Sequence, residues 1–364
     1  MPSGTIKHTF AGGNTTSGFV SFYEEILPQE NANHIFCIKG GPGVGKSTFM
    51  KKVGNHFSDL GYDVEYVHCS SDPHSLDIVY FPQLRVMLVD GTSPHIIDPK
   101  NPGAVDEILN FGDYWDEIGI RRNREEIIRV NAKIKNSYML AYQYFKSVRL
   151  LYESLENIMK KALKVKEYNQ LRLNSLNNFI SNIPIKDNKG KVRHLLSYAF
   201  TPLGVSTYRE SLVNLAERKI LIVETIGLSS EELLNDIIRE VIKRGYDLEC
   251  YLSPIKLEKV EDVFIPDLKL LISVSNEYNQ YPFQYDVLFD ITSCIDNKVI
   301  EEYIDSISEL KESIDMLINK GLTYLQKAKE QHDILEEFYI PNINHEKIDS
   351  LLPIIIEKIS RYAK

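Results

Sequence analysis

Four cysteines in 364 residues, Cys37, Cys69, Cys250 and Cys294, stand scattered without a CxxC pair. That spacing supplies neither the ligand pairs of a zinc site nor a disulfide framework, and it reads as buried thiols. No run approaches the ~20 apolar residues of a membrane-spanning helix, and the opening MPSGTIKHTF lacks the basic and apolar regions of a signal peptide. The expected compartment is the cytoplasm, with no membrane partner. Net positive charge is lacking too: the chain carries −9 at neutral pH, which disfavours non-specific nucleic-acid binding by the whole molecule. Gly and Pro are absent from 120–183, which predicts long helix there, folded as a hairpin. What remains is ordinary globular material, 43% hydrophobic and 26% charged, long enough for two or three domains.

One unit is used twice. GYDVE at 61–65 recurs as GYDLE at 245–249, and the same shift of 184 pairs Ile38 with Ile222, Gly43 with Gly227 and Pro82 with Pro266. Upstream, KHTFAGGNTTSGF at 7–19 matches RHLLSYAFTPLGV at 193–205 with a shift of 186. A repeat of this kind decides the fold before any single element does. In the first copy HIFCIK (34–39), DVEYVHC (63–69) and LRVMLVD (84–90) read as buried strands, with EILNFG (107–112) a further candidate. Residues 46–60 carry an apolar stripe at Phe49, Met50, Val53 and Phe57, the pattern of a helix crossing over a sheet. Strand, helix, strand predicts a parallel α/β sheet. The C-terminal stretch, 298–337 and 344–362, reads as helix broken near Gly321 and at Pro341. The expected organisation is a nucleotide-binding unit over 1–118, a helical arm over 119–181, a linker over 182–191, a second unit over 192–296 and a C-terminal arm over 297–364.

The chemistry sits in GGPGVGKST, residues Gly40, Gly41, Pro42, Gly43, Val44, Gly45, Lys46, Ser47 and Thr48. This satisfies G-x-x-x-x-G-K-[ST] and lies between a predicted strand and a predicted helix, the context that a P-loop requires. Glycines let backbone N–H groups close on phosphate oxygens, and the helix N-terminus adds its positive dipole end. Lys46 is the expected bridge of the β- and γ-phosphates, Ser47 the Mg²⁺ ligand and Thr48 the α-phosphate contact. Asp90, ending VMLVD, is placed as the second carboxylate behind Mg²⁺. ATP with Mg²⁺ is the default ligand, since no NKxD motif for guanine follows. Gly91 stands where many ATPases carry a catalytic Glu, which leaves slow hydrolysis, a base from elsewhere such as Asp72, Asp77, His95 or Glu107, or phosphoryl transfer to another acceptor. His68, Ser70, Ser71 and Asp72 after the second strand, with Thr92, Ser93 and His95 after Asp90, are candidate substrate contacts, because open α/β sheets bind ligands at the carboxyl ends of their strands. AGGNTTSG (11–18) is a candidate base or ribose contact, and Trp115 a packing anchor.

The second copy has lost these groups. The shift places Ser230, Glu231, Glu232 and Val274 at the positions of Lys46, Ser47, Thr48 and Asp90. Its expected roles are to cap the first site, to supply a residue such as Arg193, Arg209 or Arg218, or to engage a partner. The segments FAGGNTTSGF, IKGGPGVGKSTFMKK, GYDVEYVHCSSDPHSLD, LVDGTSPHIIDP, PGAVDEILNFGDYWDE and RHLLSYAFTPLGV make the chain resemble the bacterial tandem P-loop ATPase-like proteins of unknown function. The resemblance implies an α/β fold of two tandem P-loop NTPase-like parallel-sheet domains, each followed by a long helical arm, and ATP binding at residues 40–48 with Asp90 as the Walker B residue. Members of that family often keep a second P-loop, and this chain departs there.

Three functions follow as expectations: an ATPase or ATP-driven switch, a kinase of a small molecule or nucleotide, and an ATP-binding adaptor. The adaptor would grip RNA or an acidic protein with the basic arm, where 121–172 holds thirteen Lys or Arg, Lys160, Lys161, Lys164 and Lys166 among them, against five Glu. Residues 297–364 hold nine against thirteen acidic groups, so opposite charge predicts that the arms pack together or on a protein partner.

Overall fold

In a computed structural model, residues 3–92, 97–180 and 183–363 are described. The first half runs β1 (Ile6–Thr9), a hairpin of β2 (Gly12–Thr15) and β3 (Gly18–Ser21), β4 (His34–Lys39), helix α1 (Lys46–Asp59), β5 (Val64–His68), β6 (Leu76–Phe81), β7 (Val86–Asp90) and β8 (Asp106–Asn110). Then come α2 (Arg124–Ala162) and α3 (Val165–Ile180). The second half repeats the order: β9 (Val192–Leu196), β10 (Ala199–Thr201), β11 (Gly204–Ser206), β12 (Arg218–Val223), α4 (Glu231–Lys243), β13 (Leu248–Leu252), β14 (Val260–Ile265), β15 (Leu270–Ser275) and β16 (Val287–Asp290). It closes with α5 (Ile304–Tyr339), α6 (His345–Asp349) and α7 (Leu352–Ser360).

The strand order in the first six-stranded sheet is β1-β5-β6-β7-β4-β8, and the second, β16-β12-β15-β14-β13-β9, has the same order read from the other end. The architecture is therefore mixed α/β with long helices. The expectation of wholly parallel sheets needs correction, because β6 runs antiparallel to β5 and β7, and β14 to β13 and β15. β6 follows β5 through a short turn, a connection that only an antiparallel neighbour allows. Local detail repeats as well: Arg85 (φ 50°) and Lys269 (φ 44°), 184 residues apart, both take the left-handed conformation uncommon for a side-chain-bearing residue.

The halves are sewn together twice. The hairpins β2-β3 and β10-β11 join in one four-stranded sheet through Phe200 opposite Asn14. Beside it, Lys7 and Arg193 meet Glu65 and Glu249, with Lys7 Nζ at 2.6 Å from Glu249 and Arg193 at 2.9 Å from Glu65. Burial pushes the Glu249 carboxyl up, but Arg193 and Lys7 overcome it and hold the group down at about 2.

The arms are exchanged. α2, about 58 Å long at 1.5 Å per residue, does not fold back on α3 as a hairpin. It lies antiparallel to α5, with Tyr144 stacked on Tyr324 and Lys161 over Tyr303. The seam is apolar rather than ionic, built from Ala141, Phe145, Val148, Ile314, Ile318 and Leu325. Beyond it each arm ends on the opposite half: Tyr168 of α3 enters the core of the second half, whereas Ile348, Ile355 and Ile359 of α6 and α7 enter the core of the first. Backbone bridges mark both landings, Trp115 with Ile343 and Ile295 with Leu163.

Gly321 does not break α5, contrary to expectation. A Cβ there would lie 2.3 Å from Phe145 Cε1, so the glycine lets the two helices close. An exposed helical glycine gains about 1 kcal/mol on replacement by a better helix former. Gly321→Leu is instead expected to cost about 1–3 kcal/mol through overpacking, read as a lower urea midpoint; an unchanged or higher midpoint would contradict this packing. Pro341 does end α5, two residues past Tyr339.

Candidate functional site

The loop of residues 40–48 joins β4 to α1. Gly43 (φ 67°) and Gly45 (φ 87°) take positive φ, which curls the chain so that α1 begins at Lys46. β7 lies parallel beside β4 with Asp90 opposite Ile38, so the loop and the carboxylate leave the sheet side by side. Lys46 Nζ sits 3.6 Å from Asp90 Oδ2 and donates to the Gly41 carbonyl at 2.8 Å. Both side chains are mostly buried. Ser47 Oγ accepts the Leu76 N–H at 3.0 Å, which brings the start of β6 to the same place. Asp90 Oδ1 accepts from the Thr92 N–H at 3.0 Å and its hydroxyl at 2.5 Å. Val44 is buried, while Thr48 is exposed and Gly40, Gly41 and Pro42 are half-buried. Lys46, Ser47, Asp90 and Thr92 are thus brought together.

The other candidates are not free. His68 is buried: its Nδ1–H donates to the Pro73 carbonyl at 2.9 Å, so its Nε2 accepts from His8 Nδ1 at 2.8 Å, and its ring stacks on Tyr208. Ser70 meets Asn14, and Ser71 accepts from the Tyr138 hydroxyl at 2.8 Å. Asp72 holds its own turn through the His74 N–H and the Ser75 hydroxyl. Asp77 accepts from the Tyr23 hydroxyl at 2.6 Å. Glu107 pairs with Lys358 and His34. Ser93 and His95 lie outside the described residues. Residues 11–18 belong to the hairpin between the halves, and Trp115 packs against Tyr339. Arg193 is held by Glu65 and Glu249, Arg209 is buried on Asp262, and Arg218 starts β12 at the edge away from its loop.

Burial pushes His68 down to about 4, aided by neighbouring His8 and opposed by the bond to Pro73. The folded value lies below the unfolded value of about 6.5, so the unfolded chain takes up a proton first, and stability falls as pH drops from 6.5 towards 4. The expected loss between pH 7.5 and pH 5 is about 2 kcal/mol. Urea midpoints at the two pH values test it, and His68→Phe, which retains a ring on Tyr208, should reduce the difference.

Sequence reasoning offered the second copy as a cap for the first site but missed that its C-terminal arm covers the loop. A Cβ at Gly41 would lie 2.8 Å from Tyr339 Cε1, one at Gly43 2.8 Å from Ile340 Cγ1 and 3.4 Å from Glu336 Cβ, and one at Gly45 3.7 Å from His345 Nδ1. All four neighbours come from the C-terminal arm. The signal was present: Asp116 and Asp296, 180 residues apart, cap equivalent helices, so the repeat runs on into the arms.

The twin loop of the second half is filled from within. Glu224, at the position of Gly40, accepts the Ser230 N–H at 2.9 Å and the Asn276 amide at 3.2 Å, and forms an ion pair with Lys259. Side chains of Glu224 and Lys259 are 0% and 1% exposed. Burial works against the charge on Lys259, and Glu224 beside it holds its pKa well above the ordinary value. A carboxylate thus rests on the N–H at the start of α4, with an ammonium against it.

No protein-family model matches the chain, and no curated protein or solved structure shows significant similarity to it. No helix among the described residues is long and apolar enough to cross a membrane.

Proposed function

We propose that the chain binds one nucleoside triphosphate, ATP with Mg²⁺, at residues 40–48, and acts as an ATPase or ATP-driven switch of the P-loop NTPase type. The observation that carries this is the grouping of Lys46 at the first turn of α1 with Ser47 and, 3.6 Å from the lysine, Asp90 on the adjacent parallel strand. Positive-φ glycines and a helix N-terminus make this a place for phosphate. Lys46 would exchange its Gly41 carbonyl and Asp90 for phosphate oxygens. The donor set, a hydroxyl and a carboxylate, suits a hard cation; Ser47 and Asp90 would hold Mg²⁺, which supplies charge neutralisation to the phosphates.

The switch reading is favoured over the kinase because His68, Ser70, Ser71 and Asp72 are already engaged within the protein, and because the C-terminal arm touches the loop. A triphosphate entering there meets α5 at once. The experiment is calorimetric titration with Mg-ATP followed by product analysis in a metabolite extract. Binding with acceptor-independent phosphate release is expected; a phosphorylated metabolite would favour the kinase, and no binding would end the proposal.

A further inference from the structure

Lys329, His332 and Glu336 lie at spacings of three and four on α5 and so share one face of the helix. That face runs from the turn between β5 and β6 to the loop of residues 40–48. At its near end Lys329 Nζ is 3.7 Å from Asp72 Oδ2 and also pairs with Asp333 on its own helix. At its far end Glu336 packs on Gly43. Between them stands His332, with Nδ1 3.6 Å from Glu336 Oε1. Burial lowers the pKa of His332, Glu336 opposes this, and Lys46 is among the cations that push it further down.

The twin half shows how far a side chain at this position reaches. With the shift of 180 that relates the arms, Arg149, Tyr152 and Glu156 of α2 stand where Lys329, His332 and Glu336 stand on α5. Tyr152 is buried, and its hydroxyl lies 3.5 Å from Lys259 Nζ, the cation paired with the carboxylate that rests on the α4 N-terminus. The arm residue at this place therefore touches the cation paired with the carboxylate that fills the phosphate position. Arg149 repeats the part of Lys329: it bridges Glu153 on its own helix and Glu258 on the neighbouring loop. In the first half the corresponding side chains are a histidine and a lysine, one turn or more before Glu336, which packs on a loop that has glycine where the twin has its internal carboxylate.

We propose that His332 and Lys329, laid over the loop by the arm of the second half, are contacts of the terminal phosphate, so that this arm distinguishes a nucleoside triphosphate from a diphosphate. The inference rests on residues 40–48 being a triphosphate site. A terminal phosphate between Lys46 and α5 would draw Lys329 from Asp72 and Asp333 and take a hydrogen bond from the imidazole, charge-assisted bonds stronger than neutral ones.

The test is calorimetric titration with Mg-ADP and with a non-hydrolysable Mg-ATP analogue, on the wild type, on the double variant His332→Ala, Lys329→Ala, and on the milder pair His332→Gln, Lys329→Gln, each checked for an unchanged urea midpoint. The wild type is expected to prefer the triphosphate. The double variant should lose about 10- to 100-fold in affinity for the analogue and keep its affinity for ADP. An unchanged ratio of the two affinities overturns the arm contact while leaving the loop as the binding site. Loss of both nucleotides in both folded variants also overturns it, since the site itself has then been lost. A wild type that binds neither nucleotide overturns the triphosphate site and the arm contact together.

Discussion

Lys46→Ala is expected to reduce affinity for Mg-ATP by at least about a hundredfold, because one ammonium making two charge-assisted contacts to phosphate carries about 3–5 kcal/mol. The loss should be one of binding and not of folding. In the structure Lys46 is held by the Gly41 carbonyl and by Asp90 at 3.6 Å, contacts whose removal costs little because Asp90 keeps two bonds from Thr92. Two measurements separate these cases. Calorimetry reports the affinity directly. Thermal unfolding reports it through linkage: at a hundredfold excess over its dissociation constant the ligand stabilises the wild type by about 2.7 kcal/mol, and the variant should show almost none of that shift while unfolding at nearly the same temperature without nucleotide. Retained affinity in the variant would place the nucleotide elsewhere.

The candidate site was readable in the sequence where its chemistry is local. Gly43, Gly45, Lys46 and Ser47 act within one turn of chain, with a short apolar run announcing the strand before them and an apolar stripe the helix after them. Asp90 was readable for the same reason, as the polar end of a buried strand. What stayed hidden depends on neighbours far along the chain. β6 is an apolar run interrupted only by Asp77, LDIVYF, whose direction is fixed by the turn at 69–75 and not by its composition. Gly321 resembles a helix breaker until Phe145 is seen against it. His68 carries the residue type of a catalytic group, yet its partners are His8 and Tyr208, 60 and 140 positions away. The exchange of the arms was the largest omission. Helical composition identifies α2 and α5 but cannot say on which half each one lands, since the apolar seam between them would be equally satisfied by a local hairpin.

Lys259→Met is expected to destabilise the protein by about 3–5 kcal/mol, the cost of leaving a buried charge without its partner, and a large part of the total stability of a protein of this kind. The variant keeps an unbranched stem as far as Cε, with sulfur in place of Cδ, and removes the ammonium. Glu224 would retain the Ser230 N–H and the Asn276 amide but would face Glu261, itself fully buried and with its carboxyl pushed up by that burial, without a cation between them. Glu224→Gln should be costly in the opposite sense, stranding Lys259. The double variant, Glu224→Gln with Lys259→Met, should recover much of the loss, because a neutral pair of similar shape avoids the desolvation of both ions. A coupling of several kcal/mol between the two positions, measured by urea unfolding of the four proteins, is the expected outcome; additive effects would mean that the pair does not act as a unit. The same double variant should bind Mg-ATP at the first loop as the wild type does and gain no second site, because the carboxylate and ammonium of the second half stand in for a ligand and its counter-charge, and neutralising them leaves a turn without the lysine, serine and aspartate of its twin. On this account one half is filled by its own side chains, and under the proposed function only the other half would exchange a ligand.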